Sequence, residues 1–412
     1  MKVAGLVAEY NPFHNGHVHH LSETRRLSGA DFVVVVMSGN YVQRGTPAVI
    51  DKYERARMAL QGGADLVLEL PSLFATASAE VFATASVSLL YQLGVVDSIG
   101  FGAEYTDLGT LKKIANVLNH EPDSLQRDLR DALRSGLNYP SARALALGSY
   151  FGDEIENLDE ILDKPNNILA IEYLRAIERL GTSLTPLAVK RWHTDHNSDK
   201  VYDNVASATA LRSMIYEEDG GIERITPFVP AYTAREFALK LNICTPVRSG
   251  DYSELLQYRL FMERDHLQEY MDFSPELGDR VNNILPCCYS FREWAEALKS
   301  KTYTHTRVNR ALMHLILGMK EEDLKSYHED DYCMYARVLG FRKNAVALLS
   351  EITKNTALPI ITKMADAPKQ LDKRALKLLG FDIYGSDVYR TIVYNKFGTS
   401  LKDDYRAGII KV

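Results

Sequence analysis

Two histidines stand around one Asn-Gly pair in AEYNPFHNGHVHHL, residues 8–21. Their spacing puts His14 and His17 on one face of a helix entrance, where both rings reach the same group. The pair follows KVAGLVAE, an apolar run that reads as a strand buried on both faces. In an open α/β sheet, the loop after such a strand is where ligands bind. A helix starting near His17 supplies unpaired N–H groups and a partial positive charge, both suited to a phosphate. Gly16 lets the backbone come close to that anion. Imidazole donors held there stabilise charge that builds on a phosphoryl oxygen during displacement. Taken alone, the pattern also fits two surface histidines at a helix cap. His19 and His20 extend the cluster, and one of them is expected to pack toward the sheet.

A second segment, SATALR at 207–212, sets Ser207, Thr209 and Arg212 at the start of a later helix. The hydroxyls cap that helix or bond phosphate oxygens, and Arg212 neutralises β- and γ-phosphate charge. Two anion-suited helix entrances in one α/β unit read as a triphosphate site. Neither a GxxxxGK[ST] loop nor a dinucleotide GxGxxG follows the first strand, so histidines replace the glycine-rich cradle. SGNYVQRGTPA, residues 38–48, is a polar loop on the same edge. Its Gln43 and Arg44 either meet triphosphate or RNA, or are simply solvated. Arg25 and Arg26 read as solvated surface.

These residues need a scaffold, and the apolar runs supply one. DFVVVVMSG, ADLVLELP, VDSIGFGAE and SLTPLAVKRW read as further strands. DKYERARMALQGG reads as a helix with Asp51 as N-cap and Glu54 in the reciprocal capping position. Residues 108–160 read as a polar helical insertion. The alternation stops near residue 220. The fold expected is therefore α/β: a parallel-sheet catalytic domain over 1–220, then a mostly helical domain over 221–412.

Composition limits the alternatives. The 412 residues are 46% hydrophobic and 25% charged, an ordinary globular balance. No apolar run approaches the ~20 residues that cross a bilayer, and the start lacks a secretory signal. A cytoplasmic protein without a membrane partner is expected. The four cysteines form no CxxC pair, so they read as reduced, and no protein metal site is expected. A net charge of −6 excludes a uniformly basic surface but not a local basic groove.

At HNGH and SATALR the chain resembles the HxGH nucleotidyltransferase superfamily, relatives of class I aminoacyl-tRNA synthetases. The likeness is closer to bacterial tRNA(Met) cytidine acetate ligases. It runs through GLVAEYNPFHNGHVHHL, VVMSGNYVQRGTPAV, ELPSLFATASAEVFA, LGVVDSIGFGAE and KPNNILAIEYLRA, and on through HTRVNRALMHLILG and RVLGFRKNAVALLSEI. The resemblance implies catalytic roles for His14, His17 and Arg212. It implies an ATP site formed by Val7, Ala8, Glu9, Tyr10, Asn11, Pro12, Phe13, His14, Asn15, Gly16, His17, Val18, His19 and His20. Gly102, Asn166 (or the adjacent Asn167) and Arg191 complete it, and the reading of SATALR adds Ser207 and Thr209 as nucleotide contacts. ATP would be co-substrate with acetate, Mg2+ would accompany the triphosphate, and the acetyl acceptor would be the anticodon loop of elongator tRNA(Met) rather than DNA. A small-molecule nucleotidyltransferase and a non-catalytic tRNA-binding protein are the alternatives. In the second half, Arg307, Arg310, Arg337, Arg342 and Lys343, with Tyr303 and Tyr335, are candidates to hold RNA phosphates and stack on bases.

Overall fold

The computed structural model describes residues 1–191, 204–217, 221–285 and 287–412. β1 (Val3–Ala8) and β2 (Phe32–Ser38) form in parallel, with Val3 opposite Phe32 and Ala8 opposite Met37. Val33 to Met37 are completely buried, as a continuous β-branched run in a central strand must be. α1 (Asn15–Ser28) links them. A hairpin of β3 (Tyr41–Val42) and β4 (Thr46–Pro47) follows, then α2 (Lys52–Gln61), β5 (Leu66–Leu70), β6 (Ser98–Ala103) and β7 (Thr185–Lys190). Helices Leu108–His120, Asp123–Arg134, Tyr139–Phe151 and Leu158–Asp163 occupy the predicted insertion.

The spatial order β5-β2-β1-β6-β7 is parallel throughout. The chain winds outward from β1 in both directions, so the sheet has its switch point between the carboxyl ends of β1 and β6. That crevice is where such sheets take ligands. Helix Ala208–Tyr216 packs through Leu211 and Ile215 into the same apolar cluster as Leu6, Phe13 and Leu21. Arg212 is thereby brought to the side of the sheet that carries α1. Among the described residues, no helix is long and apolar enough to cross a membrane.

Residues 221–412 are mostly helical, as expected, but they also return to the sheet. β8 (Ala336–Phe341) pairs antiparallel with β5, and β9 (Ile360–Ile361) and β10 (Ile410–Lys411) pair with β8. β9 and β10, two residues each, carry no periodic signal, and β8, as long as β1, lies in a stretch whose neighbours read as helical. Three local expectations also change. Asp51 caps α2 by accepting from Tyr53 and Glu54 N–H, but the Glu54 carboxylate turns instead to Arg57 and Lys240. Segment 38–48 is no solvated loop: Asn40, Tyr41, Val42 and Ala48 are buried, and the Tyr41 hydroxyl donates to the Gly385 carbonyl. Arg25 is tied to Asp65 and the Gly63 and Asp31 carbonyls, whereas Arg26 does lie on the surface beside Glu23.

A buried charge cluster fastens the two halves of the chain. Lys52 Nζ lies 2.8 Å from Glu69, 3.0 Å from Asp404 and 3.0 Å from Ser386 Oγ. Arg337 approaches Glu69 at 2.8 Å and Asp404 at 3.1 Å, and the Tyr53 hydroxyl donates to Asp404. All four charged side chains are at most 3% exposed. Arg337 is therefore not available to RNA, contrary to the expectation for it. Tyr335 is buried with its hydroxyl on Asp382, Tyr303 is buried against Ser274, and Arg310 is bidentate on Asp272. Of that group Lys343 is exposed and Arg307, Arg310 and Arg342 are half-buried, Arg310 with its guanidinium committed to Asp272.

Removing one member of a buried ionic cluster leaves an uncompensated charge, at a cost of about 3–5 kcal/mol. Arg337→Met is expected to lower the unfolding free energy by about that amount in urea titrations, with RNA affinity of the folded protein unchanged. A variant as stable as its parent but defective in RNA binding would contradict this placement.

Candidate active site

Helix α1 begins at Asn15 rather than near His17, because His14 is its cap. The His14 Nδ1 accepts from Gly16 N–H at 3.1 Å, and the His17 Nδ1 accepts from His14 N–H at 3.2 Å. This is a capping box written in imidazoles, each ring satisfying an otherwise unpaired donor. The rings stack with centroids 3.7 Å apart. Tyr10 meets His17 edge-on at 4.8 Å, and Phe13 lies 5.6 Å away. Gly16 has a closer reason to be glycine than the approach of an anion: a Cβ there would sit 2.9 Å from the His14 ring.

The caps decide the tautomer. An Nδ1 that accepts a hydrogen bond carries no proton, so each neutral ring holds its hydrogen on Nε2. Burial, then the charges of Arg191 and Arg212, push His14 down to about 3. Burial and neighbouring His14 and Arg191 hold His17 well below the usual imidazole range. Burial and Arg191 bring His20 to about 3, and its Nε2 is enclosed without a partner, so His20 is the packed member of the His19–His20 pair. The site therefore offers neutral Nε2–H donors, not imidazolium ions.

Two walls flank this loop. On one, Ser207 caps helix Ala208–Tyr216 by accepting from Ala210 N–H. Thr209 does not cap; its hydroxyl accepts from Arg212, whose other arm donates to the Asn11 carbonyl at 2.8 Å. On the other, Arg191 follows β7 and donates to Asn166 Oδ1 at 3.2 Å, while Asn166 donates to Glu104 at 2.6 Å. Gly102 lies against the Arg191 side chain. The two asparagines separate clearly. Asn167 is 1% exposed and spends its side chain on the Glu104 and Tyr105 N–H groups and the Ile161 carbonyl, whereas Asn166 faces Arg191.

Within the run Val7–His20 the side chains divide. Tyr10, Asn11, Pro12 and Phe13 are buried, and Asn11 Oδ1 accepts from Val49 N–H. Val18 packs against the apolar cluster beneath α1, and Val7 against the core on the opposite face of the sheet. Glu9 accepts from Gln43 N–H, and Asn15 donates to the Asn204 and Pro227 carbonyls. Ala8, Gly16, His17, His19 and His20 are only partly buried. The stretch WHTDHNSDK after Arg191 lies outside the described residues.

Arg55 was not foreseen. Its fully buried guanidinium donates to the carbonyls of Ile50, Glu9, Ser38 and Gly39, fastening the carboxyl ends of β1 and β2 together. A signal existed: at helical spacing Lys52, Arg55, Ala56 and Ala59 share one face, so two cations lie on the apolar stripe of α2. Glu104, which holds Asn166 in place, carried no comparable signal.

A family model described as HIGH Nucleotidyl Transferase matches residues 1–404, and the chain belongs to that family of nucleotidyl transferases. Relatives named tRNA(Met) cytidine acetate ligase place it more finely. One from Caldanaerobacter subterraneus is 39% identical over the full length of both chains. One from Acetivibrio thermocellus is 38% identical over 94% of each. The crystal structure of Thermotoga maritima TmcAL bound with alpha-thio ATP matches all of both chains with TM-score 0.91 at 31% identity, and its apo form matches with 0.92. The chain is a member of the tRNA(Met) cytidine acetate ligase family.

An imidazole of ordinary pKa, ~6.5, would titrate in the physiological range. Here protonation is pushed far below that value, so the neutral donor form persists as pH falls. Acetate-dependent ATP–pyrophosphate exchange is expected to show no inflection near pH 6.5 across about pH 5.5 to 8. A loss of activity centred near 6.5 would mean that these rings titrate normally.

Proposed function

We propose that the chain joins acetate to N4 of the wobble cytidine of elongator tRNA(Met), with ATP as the source of activation. The observation that carries this reading is the doubly capped histidine pair at the sheet's switch point, between the Arg191 and Arg212 walls. In the first step an acetate oxygen attacks the α-phosphorus, the bond to the β-phosphate bridging oxygen breaks, and pyrophosphate leaves. Acetate is ionised at neutral pH, so no strong base is needed. The step requires alignment and stabilisation of the phosphoryl oxygens, which the Nε2–H donors of His14 and His17 and the Arg212 guanidinium supply.

In the second step the cytosine amino group, weakened by conjugation with its ring, attacks the acetyl carbonyl, AMP departs with the electron pair of the anhydride C–O bond, and the proton lost by the amine passes to the departing phosphate or to water. The base must leave its stack to reach the anhydride. The nucleotide is held by the backbone and exposed side chains of the segment Val7–His20, with Tyr10 and Phe13 as scaffold. Gly102, Asn166 and Arg191 form one side, and Ser207 and Thr209 present Arg212 on the other. Among the described residues, no three His, Cys, Asp or Glu side chains converge to hold a metal ion. Mg2+ would accompany the triphosphate, carried chiefly by phosphate oxygens and water.

Residues 1–220 are assigned the ATP chemistry and 221–412 the tRNA platform, the latter also lending β8 to the shared sheet. The reaction takes place in the cytoplasm, and neither membrane nor DNA enters it.

His17→Ala is expected to lower acetyl-adenylate formation by about 100-fold or more, the scale of one positioned donor, with tRNA affinity near normal. Radiolabelled acetate followed into adenylate and tRNA measures the first, and filter binding the second. Equal loss of both would identify His17 as purely structural. Pyrophosphate release that depends on a phosphorylated small acceptor, without label from acetate, would point to a small-molecule nucleotidyltransferase.

A further inference from the structure

The β3–β4 hairpin is anchored at nearly every residue. Tyr41 and Val42 are buried, and the Tyr41 hydroxyl is bonded to Gly385. Gln43 is held at both ends, its N–H donating to Glu9 at 2.9 Å and its side-chain amide to the Ala77 carbonyl at 3.3 Å. Gly45 has φ of 71° and lies so close to helix His305–Leu317 that a Cβ there would stand 2.3 Å from Arg310 N. Ala48 N–H donates to the Asn40 carbonyl, closing the base. Arg44 alone is exposed, and its guanidinium has no hydrogen bond or ion pair among the described residues.

The position of Arg44 explains the arrangement. The neighbouring Gln43 is docked on Glu9, and the Arg212 guanidinium is docked on Asn11, so the backbone that carries Arg44 and the Arg212 guanidinium meet the two ends of the Glu9–Asn11 segment that leads into the histidine pair. Burial chiefly, and to a smaller extent the charge of Arg44, disfavours the charged form of Arg212. Two like charges held together against their repulsion fit an anion that bridges them.

We propose that Arg44 grips the β- and γ-phosphates of ATP together with Arg212, and thereby holds the pyrophosphate leaving group in line. This rests on reading the site as an ATP site. The triphosphate is favoured over acetate because acetate carries a single charge, whereas the β- and γ-groups carry about three and can engage two guanidinium groups at once. Fixing Arg44 through its backbone, rather than through a salt bridge, leaves all five of its donors for the ligand.

Affinities for ATP and for AMP, titrated calorimetrically without acetate or tRNA, distinguish the possibilities. Arg44→Ala is expected to weaken ATP about 10- to 100-fold while leaving AMP unchanged, because AMP lacks the groups it grips. Arg44→Lys should recover part of the loss, as a point charge without the fork. Gly45→Ala, which must push the hairpin off the Arg310 backbone, should weaken ATP selectively although Arg44 is intact. Equal weakening of ATP and AMP by Arg44→Ala would overturn the proposal, as would unchanged ATP affinity with a raised KM for acetate or tRNA. An unmodified protein that binds neither nucleotide would instead overturn the ATP site itself, and the proposal with it.

Discussion

The reciprocal cap between His14 and His17 is the interaction on which the site depends. Each ring gives its Nδ1 to a backbone N–H of the first turn of α1, and each is thereby committed to carrying its proton on Nε2. Two such caps stabilise by only about 1 kcal/mol each. Burying an unpaired imidazolium costs several kcal/mol. Burial therefore keeps the rings neutral, and capping decides which nitrogen remains a donor. Protonation at Nδ1 would undo cap and donor geometry together, so local helix structure and chemistry here are one constraint.

The remainder of the structure holds that constraint at the right place. Arg55 ties the ends of β1 and β2 through carbonyls rather than carboxylates, so the loop after β1 has a fixed origin. Arg212 reaches the same loop at Asn11, and Gln43 reaches it at Glu9. Farther out, the Lys52–Glu69–Asp404–Arg337 cluster closes the second half of the chain against the sheet. Such a cluster contributes little net stability over an apolar replacement. It does constrain how the C-terminal segment returns, because any other docking would leave its charges without partners.

Much of this was legible in residue order. A short, continuous β-branched run such as VVVVM at 33–37 reads as a central strand, and the capping residues Asp51 and Ser207 announced their helices. HNGH and SATALR marked both helix entrances because short motifs carry their own geometry. Other features were not local. β8 exists through pairing with the far earlier β5 and β10 in turn through pairing with β8, and the burial of Tyr41 depends on Gly385 and Tyr252. Arg337 looked like an RNA contact because sequence does not distinguish a cation facing water from one facing two buried carboxylates. Arg55 is the instructive omission: a cation on the apolar stripe of a helix should have prompted a search for buried partners.

The account is tested most directly by 15N NMR of the His14 and His17 rings, with and without ATP, near neutral pH. Both rings should report as neutral Nε2–H tautomers in the free protein, with the Nε2–H signals moving on nucleotide addition and the Nδ1 signals holding still. Rings found as Nδ1–H tautomers or as imidazolium ions, or Nε2–H signals indifferent to ATP, would contradict it.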